Sequence, residues 1–92
     1  MSYIGKSNGL AEAKVASGPS GPPEILLGNP NTTSVTGTLY LKSGADAFFV
    51  TKFTVEPNGL TALELHKPLA ENQYLYLVLD AAPTAQLTIW ST

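Results

Sequence analysis

The chain has 92 residues, five lysines, no arginine and seven acids, for a net charge of −2. No basic stripe is present for nucleic acid, and no guanidinium for bidentate phosphate contacts, which argues against both partners. Cysteine is absent and His66 is the single histidine, which excludes disulfides and argues against a protein-built zinc site. No stretch approaches the roughly 20 apolar residues that span a bilayer, so no membrane partner is expected.

Residues 1–23 differ from the rest. Met1 to Gly9 lack a basic region followed by an apolar run, so no secretory signal is read there and synthesis in the cytoplasm is expected. The stretch Ser17-Gly18-Pro19-Ser20-Gly21-Pro22-Pro23 can neither continue a helix nor donate amides to a central strand. These residues are expected to form an extended arm ending in a stiff hinge. A segment of this composition reads either as a disordered tail or as an arm; Tyr3, Ile4, Leu10 and Val15 are unusually apolar for a spacer, and the sharper expectation is that the arm lays them on a neighbouring subunit. The folded domain is then 24–92, roughly 70 residues, and a domain that small gains little from its own core. Oligomerisation is the remaining source of stability, and a homo-oligomer, with a trimer favoured, is expected.

From Glu24 onward, apolar runs alternate with turns. A first strand covers 24–28, followed by a turn at Asn29-Pro30-Asn31-Thr32. In 34–42, Val35, Gly37, Leu39 and Leu41 share one face, the period of two that a half-buried strand requires. In 47–55 the parity slips between Val50 and Phe53, which implies either a β-bulge near Thr51 that re-phases the strand or a strand covered on both faces. Glu56-Pro57-Asn58-Gly59 is a strong reversal signal. Further strands are expected at 60–66, 73–80 and 85–90. In 73–80, Leu75, Leu77 and Leu79 form one face, and Tyr74, Tyr76 and Val78 the other. A strand apolar on both faces needs two packing layers, so Tyr74 and Tyr76 are expected at an interface, the competing reading being that they sit half-exposed as tyrosines commonly do. The pattern predicts an all-β fold, a small antiparallel β-sandwich or barrel of about six to seven strands with an extended N-terminal arm.

A search for chemistry returns little. His66 has Glu64 two residues away but no nucleophile motif around it. Glu56, Glu64, Glu71 and Asp80 could supply a carboxylate pair, yet nothing in the pattern brings two together. The Gly/Pro-rich stretch lacks the lysine of a phosphate loop. Asn31-Thr32-Thr33 matches the glycosylation pattern. Trp90, near the chain end, is expected to anchor a terminal strand in the core, the competing reading being a sugar-stacking platform. No catalytic residue, cofactor site or metal site is assigned, and the chain is not expected to be an enzyme.

The opening Met1-Ser2-Tyr3-Ile4-Gly5 resembles the first residues of tail-fibre and other virion proteins of tailed bacteriophages, especially marine and cyanobacterial ones. The run from Ile25 to Thr33, followed by Thr38-Leu39-Tyr40-Leu41, resembles small phage β-sandwich proteins, and Val55 to Leu65 looks like their next hairpin. Leu69-Ala70-Glu71-Asn72-Gln73 resembles a turn of that group that carries Gly-Asp where this chain has Asn72-Gln73. The resemblance implies a structural component of a virion. Most specifically it implies a head decoration (cement) protein, whose arm and oligomeric β-domain stabilise the capsid by contact with the major capsid protein or another virion protein. A neck, tail or fibre-attachment component is the alternative, and a carbohydrate-binding module a second one.

Overall fold

A computed structural model describes residues 2–7 and 12–92. The fold is an antiparallel β-sandwich. Its strands are β1 (Ser2–Ser7), β2 (Ala13–Ser17), β3 (Glu24–Gly28), β4 (Val35–Ser43), β5 (Asp46–Val55), β6 (Leu60–Glu64), β7 (Gln73–Leu79) and β8 (Leu87–Ser91). One sheet has the order β1-β8-β3-β6 and is called sheet I; the other, sheet II, has the order β2-β7-β4-β5.

The alternating strands behave as their period dictates. Leu75, Leu77 and Leu79 of β7 point into the core with Val35 and Leu39 of β4 and Phe53 and Val55 of β5. Sheet I returns Ile25, Leu27, Leu87 and Ile89 to the same core. The expected bulge is present: Leu39 pairs with Thr51 and Tyr40 with Phe49, leaving Val50 as the extra residue. Gly37 lies where a Cβ would press on the Val78 carbonyl and the Phe53 ring, so the centre of sheet II admits no side chain there.

The turns follow their residue chemistry. Asn58 takes a φ of +52° and the Gly59 amide donates to the Glu56 carbonyl at 2.9 Å, a type II turn with proline at its second position. Asn72 takes a φ of +65°, and the Gln73 amide donates to Ala70 at 3.2 Å. Asparagine fills this left-handed position, which it tolerates better than most residues.

The N-terminal segment departs from expectation. It is extended, but β1 pairs with β8 and β2 with β7 of the same chain, each across a register shift. The eight strands among the described residues exceed the expected number for this reason, with β1 and β2 paired to strands that follow residue 23. The amide of Gly18 donates to Gln73 at 2.8 Å, and Ser20 and Leu69 exchange two backbone hydrogen bonds at 3.0 and 3.1 Å. A Cβ on Gly18 would collide with the Ala70 carbonyl, so the close approach depends on glycine. The prolines that seemed to detach the segment instead stiffen a connection held against residues 69–73.

One pole is tied by two buried asparagines. The Asn29 side-chain amide donates to Thr33 at 2.9 Å and Val55 at 3.1 Å, while its oxygen accepts from the Asn31 backbone and side chain. Asn31 in turn donates to the Ala85 carbonyl at 2.9 Å and accepts from the Ala85 amide at 2.7 Å. Three loops are joined by two side chains. The nitrogen that the glycosylation pattern would use is buried and already bonded.

Candidate interaction surface

The outer face of sheet II carries an aromatic row set by register. Lys14 lies opposite Tyr76, Tyr76 opposite Tyr40, and Tyr40 opposite Phe49, so one line crosses all four strands. The Tyr40 and Tyr76 rings stack with centroids 5.2 Å apart and 18° between planes. Tyr74 tilts against Tyr76 at 6.0 Å, and the Lys14 ammonium lies 4.5 Å from the Tyr74 ring centre. Cross-strand aromatic contacts and a cation over a ring each stabilise such a surface modestly.

This packing divides the two tyrosines expected at an interface. Tyr74 remains half-buried, but Tyr76 is only 6% exposed. The second layer it needs comes from side chains of its own sheet, not from another subunit. Burial, reinforced by the Glu12 carboxylate, raises the Tyr76 phenol above its ordinary range.

The apolar groups that water does reach lie elsewhere. Phe48 is 52% and Phe49 64% exposed. They are adjacent on β5, so their side chains take opposite faces of sheet II. Phe49 stands beside Tyr40 on the outer face; Phe48, opposite Leu41, is on the inner side. Leu60 at the start of β6 is also largely exposed. These residues form the hairpin flank of the sandwich, where β5 and β6 are the edge strands. Two neighbouring phenylalanines on an edge strand are a signal available in the sequence, since one of them must face away from the core.

Of the residues assigned to the arm, Tyr3 is 56% exposed and lies opposite Trp90 on the outer face of sheet I. Val15 is in the core instead of on a partner. The Ile4 side chain and Leu10 lie outside the described residues. Trp90 does not enter the core either: Leu87, Ile89 and Ser91 take the inward positions, and parity sends Trp90 out, where its ring covers Gly28.

His66 is exposed and lies 3.8 Å from the Glu64 carboxylate. Glu24 and Glu64 stand directly opposite on β3 and β6, a carboxyl pair that sequence reasoning did not find. A hydrogen bond to Glu64 raises the Glu24 carboxyl above the usual range. The pair sits on an open sheet surface, without a wall on which to hold a substrate. Among the described residues no group of three or more histidines and acids is arranged for a metal ion. A cavity of about 650 Å³ opens beside Tyr74, between Lys14, Ser17, Glu71 and Asn72. No family model matches the chain, and comparison with curated proteins and with solved structures finds no match.

Proposed function

We propose that this chain is a non-enzymatic structural component of a tailed-phage virion, a head decoration protein that binds the major capsid protein or a neighbouring virion protein as a homo-oligomer. The observation that carries a docking role is the hairpin flank, where Phe48 and Phe49 remain more than half exposed. Two large apolar side chains left in water on one edge strand, one on each face, are costly when left bare and are explained by a partner that covers the edge. The virion assignment itself rests on the resemblance of the segments from Ile25 to Leu65 to phage β-sandwich proteins. The attachment route differs from an arm-borne one, because β1 and β2 are engaged within their own chain.

Mass spectrometry and cryo-EM of purified particles test this reading. Decoration requires many copies per particle, spread over the head. Few copies at one vertex assign the chain to the neck, tail or fibres, and absence from particles rejects the proposal.

The cavity beside Tyr74 favours a second reading, a carbohydrate-binding module. It joins an aromatic ring to an amide, a carboxylate and an ammonium group, the usual mixture of a sugar site. In that reading the sugar would lie against Tyr74, since the Trp90 ring packs over Gly28. Specific binding on a glycan array, lost on Tyr74→Ala, would establish it.

A further inference from the structure

We propose that the first part of β5, from Asp46 to Phe49, is a strand-docking edge whose occupant is the same segment of a second copy, paired antiparallel about a twofold axis. The inference deepens the docking role assigned to the hairpin flank and rests on it.

Three observations lead there. First, among the described residues β5 pairs in its sheet only with β4; on the other edge the Thr61 hydroxyl of β6 reaches the Thr54 carbonyl at 3.2 Å, but no strand pairs along Asp46 to Phe49. Ser43 and Asp46 close a two-residue turn with Gly44 at a φ of +61°. From that closing pair, the backbone groups of Phe48 face β4, and those of Ala47 and Phe49 face outward. Second, Phe48 and Phe49 occupy opposite faces. A partner lying flat on the sheet would cover one of them. A strand added to the edge carries side chains above and below, and covers both.

Third, the segment complements itself. Centred on Phe48, antiparallel pairing sets Phe48 against its symmetry mate and Ala47 against Phe49, large against small on a shared face. Ala47 and Phe49 both present outward backbone groups, so they form the hydrogen-bonded pairs. Asp46 falls opposite Val50, so no like charges meet. The edge charge Lys52 lies beyond the bulge, outside the pairing. A twofold pair built this way replaces the trimer that domain size alone suggested.

The absence of cysteine makes a clean test available. Two residues facing each other at a non-hydrogen-bonded position have Cα atoms about 4.5 Å apart, within reach of a disulfide. Phe48→Cys is therefore expected to oxidise to a covalent dimer with an unchanged β-type circular dichroism spectrum. Thr54→Cys, on the same strand beyond the bulge, is expected to remain monomeric. Sedimentation of the unmodified chain should show a mass rising with concentration toward twice 9.7 kDa, and Phe49→Lys should abolish the rise while keeping the spectrum. A monomer at every soluble concentration, a trimer, or equal cross-linking of both cysteine variants would overturn the pairing. A monomer that still co-purifies with particles overturns the pairing and leaves the virion reading intact. A twofold dimer absent from particles supports the pairing and counts against that reading.

Discussion

The two flanks of this sandwich are both made of edge strands, yet they are built in opposite ways. On the N-terminal flank, β1 and β2 both carry register shifts, and the connection that follows them is held by Gly18, Ser20 and Leu69 through backbone hydrogen bonds. β2 is mostly small or polar, and its one large apolar residue, Val15, is used for the core. On the hairpin flank, β5 opens with four exposed residues, two of them phenylalanine. The contrast teaches that strand edges are not equivalent docking sites. One flank invests its residues in holding the chain together, whereas the other leaves costly surface in water, which is where a partner is to be sought.

That contrast can be broken most severely at Gly18. Gly18→Ala forces a Cβ into the Ala70 carbonyl, and backbone cannot yield as a side-chain tip can. Overpacking of this kind costs about 3 kcal/mol, and urea denaturation should show the midpoint falling by a corresponding amount. Removing residues 1–17 has a related outcome: it bares the edges of β7 and β8 and empties the Val15 site, so proteolysis should find a protein that no longer folds cooperatively. A somewhat smaller loss is expected at the asparagine-tied pole. Asn31→Ala removes both side-chain hydrogen bonds to the partly exposed Ala85 backbone and one donor to the buried Asn29 oxygen, at a cost of about 2 kcal/mol, read from the same denaturation curves.

The hairpin flank should respond in the reverse sense. Replacing Phe48 and Phe49 together with serine should leave stability within about 0.5 kcal/mol, as at other exposed sites, while binding to particles is lost. Equal binding by that variant would remove the distinction between the flanks. The smallest effect belongs to Glu24. Its carboxyl is raised in the folded protein, so the folded state holds the proton more tightly than the unfolded chain does. Stability therefore declines as pH rises from the ordinary carboxylate range through the raised value. Glu24→Gln should flatten that decline in melting temperatures measured from mildly acidic to neutral pH.

Much of the fold was legible because alternation reports burial directly. Leu75, Leu77 and Leu79 on β7 and the Pro57-Asn58-Gly59 turn each have one consistent reading, while the parity slip at Val50 has two, a bulge or a strand covered on both faces, of which the register shows the bulge. β1 and β2 were not legible in this way. They are short, they contain or adjoin glycine and proline, and they exist as strands because β8 and β7 offer edges to pair with, a tertiary cause with no local signature. Trp90 was misread because size was allowed to outweigh alternation: Leu87 and Ile89 had already fixed the inward positions. Tyr76 was assigned to a partner although a stacking neighbour, Tyr40, lay one strand away, a proximity that appears only once register is known.

The bulge at Val50 has a consequence beyond re-phasing β5. It divides the strand into two lengths whose side-chain alternation is out of step, so anything zipping along the edge from the turn meets a stop after a few residues. Contact there is short by construction and does not extend along the whole strand. A short contact is also a weak one. Copies held side by side on a repeating surface raise one another's effective concentration, so an association that is faint between free chains becomes decisive once many of them share a scaffold.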